Sequence, residues 1–495
     1  MDVADLQVAL KSLGVADGAA AFVCGAALSG RVCDDSRAVQ AGDVFVAVRG
    51  VQADGHDFVN ESVRRGAAVV VAQRPVGVGD EVVLLVVPDS AAALAQLAHA
   101  AAGRPSAVLR VVGVTGTNGK TTVTYLTRAI LNAAGLPCGL IGTVSYDVGQ
   151  GSEPAPNTTP GALEMAELLR RARANGLAAA ALECSSHGLD QKRTDGIQFT
   201  AAAFTNLTGD HLDYHGTLEA YQRAKARLFV GLAPSAAAVL NGHDPAGDAL
   251  ARQTRARVWR YGVGEGYDLS AQIARQEMRG TEFELNVLGR RCVVRSRLIG
   301  EHNVLNCLAA AGLAHAAGAP FEAIGAGLEQ MTGVPGRLER LESDGGVTVL
   351  VDYAHTDDAL RRALETVRPL ADGEVVVVFG CGGERDRTKR PRMAAVAERL
   401  ADRIILTDDN PRREDPAAIR GEIRAGLSAG GLSRLREIAD RREAIAWAIA
   451  SSRPGDVVLI AGKGHEDYQI IGTRRWPFDD RTVARECLSG AACAR

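Results

Sequence analysis

The stretch VLRVVGVTGTNGKTT, residues 108–122, decides the fold, because an apolar β-like run leads into a glycine-rich turn that ends in Gly119-Lys120-Thr121. Glycines let backbone N–H groups point at phosphate oxygens, and the helix predicted after the turn presents its positive end to the same place. In such a loop the lysine reaches the β- and γ-phosphates and the threonine ligates Mg²⁺. The stretch therefore predicts a site for ATP or GTP.

The loop departs from the general P-loop pattern G-x-x-x-x-G-K-[ST], which asks for glycine where this chain has Val114. The cradle is instead Gly116-Thr117-Asn118-Gly119-Lys120-Thr121-Thr122. An ordinary strand-to-helix turn is the alternative interpretation. The strand, the two glycines, Lys-Thr-Thr and the helical pattern that follows together favour phosphate binding.

The length and the pattern of the chain predict a three-domain α/β protein. At 495 residues it can form about three domains. Strand-like and helix-like runs alternate, which predicts a central P-loop mononucleotide-binding parallel sheet and a C-terminal Rossmann-like, doubly wound domain. Linker-like segments at 103–106 and 333–336 divide the chain. We predict domains over residues 1–103, 104–335 and 336–495.

Composition excludes several classes of protein. The net charge of −3 gives no electrostatic footprint for nucleic acid or an anionic membrane. The most apolar short run, 82–87, is far below the roughly 20 residues that span a bilayer, and the amino terminus does not resemble a secretory signal. Nine cysteines contain no C-x-x-C pair. We expect a cytoplasmic monomer with reduced thiols that acts on small molecules and has no nucleic-acid partner or membrane span.

Two further strand ends carry residues suited to a metal. Glu183 follows the predicted strand 177–182 and is a candidate Mg²⁺ ligand, and the predicted strand 201–205 precedes a D-H-x-D segment that contains His211. Taken alone, the glutamate could be a solvated turn residue and the histidine a structural one. Lys225 lies in a predicted helix, where its spacing gives no functional signal.

In their order and spacing these motifs resemble the Mur ligases along essentially the whole chain. The resemblance is carried by the loop, Glu183, the D-H-x-D segment, Lys225 in Y-x-x-A-K, Gly300-Glu301-His302-Asn303-Val304-Leu305-Asn306 and Asp352-Tyr353-Ala354-His355. Within the family it is greatest to the members that add the third amino acid to UDP-MurNAc-L-Ala-D-Glu. That likeness is carried by Asp35-Ser36-Arg37, Asn157-Thr158-Thr159, residues 185–193 and Asp409-Asn410-Pro411-Arg412.

The resemblance implies an ATP-dependent, ADP-forming amide ligase of peptidoglycan precursor synthesis, in which ATP converts a carboxylate to an acyl phosphate that an amine attacks. It also implies that CO₂ carbamylates Lys225, because hard Mg²⁺ needs oxygen ligands that an ammonium lacks. The implied catalytic residues are Lys120, Glu183, His211 and Lys225. Two Mg²⁺ ions are implied, one near Thr121 and Glu183 and another near Glu183, His211 and the lysine carbamate.

The resemblance further implies two groups of binding residues. ATP would contact the loop together with Asn303, Arg337 and Asp352. The UDP-MurNAc-dipeptide would contact Ser36, Gln52, Ala53, Asn157, Thr158, Thr159, Ser185, Gln191 and Arg193. By sequence alone, residues 157–160 would instead cap the helix that follows them.

Residues 409–412 indicate the incoming amino acid. meso-Diaminopimelate carries a distal carboxylate that lysine lacks, and the planar guanidinium of Arg412 can grip it with two hydrogen bonds. In the family, D-N-P-R is typical of diaminopimelate users. The implied contacts are Arg385, Asp409, Asn410, Pro411, Arg412, Gly462 and Glu466, the last of which suits an ammonium. Asp357 replaces the proline usual in the family, so we expect a changed helix start there.

Three alternatives remain at this point. A lysine-adding ligase is opposed by Arg412. A folylpolyglutamate synthetase is opposed by the UDP-type amino-terminal segment. A P-loop nucleotide switch is opposed by Glu183, His211 and Lys225 taken together.

Overall fold

The structure is a computed structural model that describes Ala9 and residues 31–50, 53–341 and 345–489. The chain packs as two compact units. The first contains residues 1–270, 286–290 and 305–327, and the second contains residues 271–285, 291–304 and 328–495. The α/β class is confirmed, whereas the domain boundaries at 103/104 and 335/336 stay a prediction.

The first unit begins with a small parallel sheet in which the strands follow one another in sequence order. Its strands are β1 (Val32–Cys33), β2 (Val44–Val46), β3 (Val69–Ala72) and β4 (Val83–Val86). Its helices are α1 (Val59–Arg64) and α2 (Ser90–Ala101). The inner strands β2 and β3 are buried on both faces, as their runs of valine predict. The apolar run at 82–87 contains β4.

A larger sheet of the first unit has the order β12-β11-β10-β5-β9-β6-β7-β8. Its strands are β5 (Arg110–Thr115), β6 (Cys138–Ile141), β7 (Ser145–Asp147), β8 (Ser152–Pro154), β9 (Ala179–Glu183), β10 (Phe199–Phe204), β11 (Ala237–Asn241) and β12 (Arg257–Val263). From β12 to β6 all neighbours are parallel, and β7 and β8 add an antiparallel edge. Three further strands follow β12 along the chain: β13 (Leu269–Glu277), β14 (Gly280–Val287) and β15 (Arg290–Ser296).

Helices connect the parallel strands, as crossover connections require. They are α3 (Lys120–Ala133), α4 (Ala162–Ala174), α5 (Ser186–Asp190), α6 (Leu212–His215), α7 (Leu218–Val230) and α8 (Pro245–Ala251), and α9 (Glu301–Ala316) and α10 (Phe321–Gln330) follow β15. Because β5, β9 and β10 are parallel neighbours, the segments that follow them emerge at one edge of the sheet.

The sheet contains a tight antiparallel turn. Residues 138–145 do not form a single strand but the antiparallel pair β6 and β7, joined by a turn at 142–144. A Cβ at Gly142 would meet the carboxylate of Glu183, so glycine leaves room for that carboxylate beside the turn. The turn places Thr143 beside that carboxylate.

The second unit contains a doubly wound sheet with the order β16-β17-β21-β18-β19-β20. Its strands are β16 (Glu339–Leu341), β17 (Thr348–Asp352), β18 (Val375–Phe379), β19 (Arg403–Leu406), β20 (Leu435–Glu437) and β21 (Val457–Ala461). Its helices are α11 (Asp357–Val367), α12 (Lys389–Leu400), α13 (Pro416–Arg424), α14 (Ala429–Ser433), α15 (Arg441–Ala450) and α16 (Asp480–Leu488). The predicted parallel winding is confirmed, with β16 added antiparallel at one edge.

A separate antiparallel hairpin, β22 (Tyr468–Ile471) and β23 (Arg474–Pro477), follows β21. This hairpin was not predicted from the sequence. Arg412 forms an isolated parallel bridge with Ile471, so the hairpin lies against the segment that contains Arg412.

Asp357 begins α11 without disturbing it. Thr356 caps the helix by accepting a hydrogen bond from the backbone N–H of Ala359 at 3.2 Å. The carboxylates of Asp357 and Asp358 in the first turn complement the positive end of the helix. The acidic first turn therefore suits this helix start.

Membrane spans and disulfides are absent from the part of the chain that the structure describes. No helix there is long and apolar enough to cross a bilayer. The cysteines within those ranges have free thiols.

Candidate active site

The glycine-rich loop joins β5 directly to α3, as predicted. Both of its glycines are favoured by their backbone angles and by close neighbours. Gly116 has φ 148° and Gly119 has φ 88°, which other residues rarely adopt. A Cβ at Gly116 would collide with the hydroxyl of Thr205, and one at Gly119 would lie 2.5 Å from Oδ1 of Asn306. Val114 is a fully buried residue of β5 rather than part of the loop. The departure from the general pattern therefore does not affect the cradle.

Two lysine side chains end on the loop. Lys120 Nζ donates hydrogen bonds to the carbonyl oxygens of Gly116 and Thr117, both at 2.8 Å. Lys225 Nζ donates to the same Gly116 oxygen at 2.9 Å. Lys225 is 1% exposed, and its amine also lies 4.1 Å from the centroid of the Tyr221 ring.

Burial decides the chemistry of Lys225. Removal from water, reinforced by the nearby charge of Lys120, lowers the pKa of the Lys225 amine well below its usual value. A lowered pKa favours the neutral amine, whose free electron pair makes it a nucleophile. Lys225 is thus a buried residue of its helix, which its spacing in the sequence did not indicate.

Glu183 is the last residue of β9 and is 1% exposed. Its carboxylate accepts hydrogen bonds from the hydroxyl of Thr121 at 3.1 Å, the backbone N–H of Thr143 at 2.8 Å and the hydroxyl of Thr143 at 2.9 Å. The predicted Mg²⁺ residues Thr121 and Glu183 thus lie together. Thr143 was missed, because its approach depends on the turn between β6 and β7.

His211 lies in a group of aromatic rings rather than in a carboxylate cluster. Its ring centroid is 4.9 Å from that of His187 and 6.1 Å from that of Tyr221, and its Nε2 lies 3.6 Å from Asp210. Burial lowers the pKa of His211, which favours the neutral imidazole that ligates metals. Among the described residues, no three His, Cys, Asp or Glu side chains are arranged to hold a metal.

The predicted peptide-binding residues form a connected hydrogen-bond network. Thr159 donates to the backbone oxygen of Glu183 at 2.8 Å, and Arg193 Nη1 donates to the backbone oxygen of Thr159 at 2.7 Å. The remaining contacts of this network join Thr158 to Thr143, Thr159 to Ser185, Gln191 to Arg193 and the backbone of Asn157 to Tyr146. The network therefore joins residues that precede β9 in the chain to residues that follow it.

The capping alternative for residues 157–160 is wrong. The N-cap of α4 is Gly161, which has no side chain to accept a hydrogen bond. The hydroxyl of Thr159 is engaged with Glu183 and Ser185 instead.

The predicted uridine-site residues are only partly described. Ser36 is buried and donates to Glu61 Oε2 at 3.2 Å, and Ala53 is exposed. Gln52 lies outside the described residues.

In the second unit, Asp352 closes β17 and anchors the following turn. Its carboxylate accepts hydrogen bonds from the backbone N–H groups of Leu338 at 2.7 Å and Ala354 at 2.8 Å. Burial raises the pKa of Asp352, and the charge of Arg337 opposes that rise. Arg337 itself stacks 4.8 Å above the Tyr353 ring, and Asn303 donates to the backbone oxygen of Ile299 at 2.8 Å.

Arg412 has an unusual backbone conformation for an arginine, with φ 53°. Its backbone is paired with the hairpin strand β22 at Ile470, and its Nη1 donates to the backbone oxygen of Gly383 at 2.7 Å. A Cβ added at Gly382 would lie 2.9 Å from Arg412 Nη1 and 3.9 Å from Arg385 Cγ. The structure therefore brings the two predicted arginines to the same glycine segment.

Glu466 lies with the residues of the D-N-P-R segment. Asn410 Nδ2 donates to Glu466 Oε2 at 3.0 Å, and Lys463 Nζ lies 3.6 Å from the same oxygen. Gly462 has φ 116°, and a Cβ there would come within 2.6 Å of Asp409 Oδ2. Pro411 is buried beside them. Lys463 was missed, because nothing in the spacing of G-K-G-H-E indicates that the lysine is buried.

Comparison with known proteins identifies three family models along the chain. They are the Mur ligase family catalytic domain at residues 31–102, the Mur ligase middle domain at 114–314 and the Mur ligase glutamate ligase domain at 336–464.

Individual relatives match over nearly the whole chain. UDP-N-acetylmuramoyl-L-alanyl-D-glutamate–2,6-diaminopimelate ligases of Geobacter metallireducens and Geobacillus kaustophilus are 44% and 48% identical to it. Each match covers 92% of this chain, and 93% and 94% of the relative. A solved structure of a ligase with the same name is 35% identical, with a TM-score of 0.70 over 93% of this chain and 95% of that one.

The comparisons and the site agree. The phosphate loop, the buried lysine and the carboxylate at the end of β9 lie within the matched middle domain, and the Arg412 segment lies within the matched glutamate ligase domain. The chain belongs to the Mur ligase family.

Proposed function

We propose that this Mur ligase adds meso-2,6-diaminopimelate to UDP-N-acetylmuramoyl-L-alanyl-D-glutamate in peptidoglycan precursor synthesis. The activity is that of an ATP-dependent, ADP-forming ligase, in keeping with the family. The observation that carries the choice of amino acid is the position of the Arg412 guanidinium on the backbone of Gly383, with Glu466 held by Asn410 of the same D-N-P-R segment. The Arg412 guanidinium suits the distal carboxylate of diaminopimelate, and the Glu466 carboxylate suits its distal ammonium.

The first chemical step transfers the γ-phosphoryl group of ATP to the acceptor carboxylate. One carboxylate oxygen forms the new P–O bond, and the bond to ADP breaks. The chain needs no nucleophile of its own for this step, because phosphoryl transfer depends on positioning and charge neutralisation. The N–H groups of the loop and Lys120 would hold the phosphates, and Asn303, Arg337 and Asp352 would also contact the nucleotide. The amine of diaminopimelate then attacks the acyl phosphate, so that the amide forms and phosphate leaves.

The residues at the edge of the sheet fit Mg²⁺. Thr121 and Glu183 supply a hydroxyl and a carboxylate within hydrogen-bond distance of each other, and both are hard oxygen donors. When bound, Mg²⁺ would neutralise the phosphate charges as they shift from ATP to the acceptor. Glu183 needs Thr143 to hold it, since both of its oxygens accept hydrogen bonds from that residue.

Lys225 fits the proposed carbamate. A neutral, buried amine can attack CO₂ through its electron pair, and loss of one proton then leaves an anionic carbamate. With His211, that carbamate and Glu183 would hold a second Mg²⁺. Lys120, Glu183, His211 and Lys225 are thus the proposed catalytic residues.

We propose that each of the three predicted domains binds a different part of the substrates. Residues 1–103 would bind the uridine end of the substrate through Ser36, Gln52 and Ala53. Residues 104–335 would bind ATP and the muramoyl peptide, the latter through Asn157, Thr158, Thr159, Ser185, Gln191 and Arg193. Residues 336–495 would bind diaminopimelate through Arg385, Asp409, Asn410, Pro411, Arg412, Gly462 and Glu466. We further propose a cytoplasmic monomer.

A competition assay tests the proposed reaction. Purified protein is given ATP, Mg²⁺ and UDP-MurNAc-L-Ala-D-Glu with equal concentrations of meso-diaminopimelate and L-lysine, and the products are identified by mass spectrometry. We expect the diaminopimelate adduct to dominate and ADP to form in equal amount. A dominant lysine adduct, or ADP release that needs no acceptor amine, would contradict the proposal.

Replacement of Lys225 tests its conversion to an anion. We expect Lys225→Ala to lower kcat about 100-fold or more, because a preorganised charge is lost, and short carboxylic acids to restore part of the activity. Arg223→Ala, an exposed change on the same helix, serves as the control and should behave as the wild type. Full activity of Lys225→Ala without added acid would exclude this role.

Replacement of Arg412 tests amino-acid recognition. We expect Arg412→Ala to raise KM for diaminopimelate roughly 10- to 100-fold through loss of charge-assisted hydrogen bonds, and to leave KM for ATP unchanged. Arg413→Ala is the matched control, because Arg413 is an exposed neighbour of the same charge. Equal KM values for diaminopimelate in the wild type and Arg412→Ala would remove the assignment.

A further inference from the structure

We propose that Lys463 is a positioning residue that gives the enzyme its selectivity for a charged amine at the distal end of the incoming amino acid. It acts through Asn410 and Glu466. The inference rests on the proposed function and assigns a role to a residue outside the set of predicted contacts.

Lys463 is completely buried, with 0% exposure, directly after Gly462. Its Nζ donates hydrogen bonds to Asn410 Oδ1 at 3.0 Å and to the backbone oxygen of Tyr468 at 2.7 Å. Lysine is almost never fully buried unless it is paired, because an isolated ammonium loses much solvation energy. These two acceptors, with Glu466 Oε2 at 3.6 Å, supply the pairing.

Lys463 fixes which way the Asn410 amide faces. The amide oxygen accepts hydrogen bonds from Lys463 Nζ and, at 2.9 Å, from the backbone N–H of Ile470. A carbonyl oxygen has two lone pairs, so both are used. The amide nitrogen must then face Glu466, to which it donates at 3.0 Å. Without the ammonium, one of the two donors that hold this orientation is lost.

The ammonium also favours the charged form of Glu466. Burial raises the pKa of the Glu466 carboxyl, whereas the charge of Lys463 and the hydrogen bond from Asn410 lower it. Loss of Lys463 would therefore favour the neutral acid. A neutral carboxyl binds an ammonium more weakly than a carboxylate does, because the hydrogen bond is no longer assisted by opposite charges.

The contributions of the distal carboxylate and the distal ammonium of diaminopimelate can be measured separately. In the proposed function, Arg412 binds the distal carboxylate and Glu466 binds the distal ammonium. L-2-Aminopimelate has the same chain and the same distal carboxylate as diaminopimelate but no distal amine. Lys463 should therefore matter for diaminopimelate and much less for L-2-aminopimelate.

The test measures kcat/KM for both amino acids with the full-length wild type and Lys463→Met. We expect the ratio of the two values, which measures preference for the distal amine, to fall about tenfold or more in the variant. A purely structural role would lower both values together, and an unchanged ratio would overturn the proposal. Use of diaminopimelate by the wild type is the separate test of the proposed function, and its failure would be recognised before any variant is compared.

Two further variants guard against a general loss of structure. Lys389→Met removes another buried lysine of the second unit, one that donates to the backbone oxygen of His355 at 2.7 Å, and should leave the ratio unchanged. Asn410→Ala interrupts the connection to Glu466 while the buried ammonium remains, and should lower the ratio in the same direction as Lys463→Met. If Lys463→Met does not fold, an unchanged ratio in Asn410→Ala still overturns the proposal.

Discussion

The backbone oxygen of Gly116 accepts hydrogen bonds from both Lys120 and Lys225, and the chemistry of the central site depends on this convergence. Two amines held against one oxygen are close neighbours, so each disfavours a positive charge on the other. Lys225 is the fully buried member of the pair, and the low pKa of its amine follows from burial and from the charge of Lys120. One lysine thus suits phosphate binding and the other suits modification.

The parallel sheet supplies the rest of that arrangement. Because β5, β9 and β10 lie side by side and run the same way, the loop, Glu183 and Thr205 meet at one edge. Thr205 leaves no room for a side chain at Gly116, and its hydroxyl donates to the backbone oxygen of Asn118. The loop conformation therefore depends on the segment after β10 as well as on its own glycines. The loop sequence is therefore tied to a residue about 90 positions away.

Residues whose roles follow from local pattern could be predicted from the sequence. The loop directly follows one buried apolar strand and Glu183 ends another, and the carboxyl ends of parallel strands meet at one edge. Lys225, Thr143 and Lys463 could not be predicted in this way, because their environments depend on distant segments. Thr143 reaches Glu183 only because β6 turns back into β7, and Lys463 is buried beneath Tyr468 of a hairpin that has no simple sequence signal. The family resemblance identified Lys225, and its burial gives the physical reason.

The proposed reaction depends on activation of the acceptor carboxylate by ATP as an acyl phosphate. The most direct measurement uses UDP-MurNAc-L-Ala-D-Glu with ¹⁸O in both oxygens of that carboxylate, turned over with ATP and meso-diaminopimelate. We expect one ¹⁸O atom in each phosphate released. The oxygen that forms the P–O bond stays with phosphorus when the amine displaces the phosphate group. Phosphate without ¹⁸O would contradict the account.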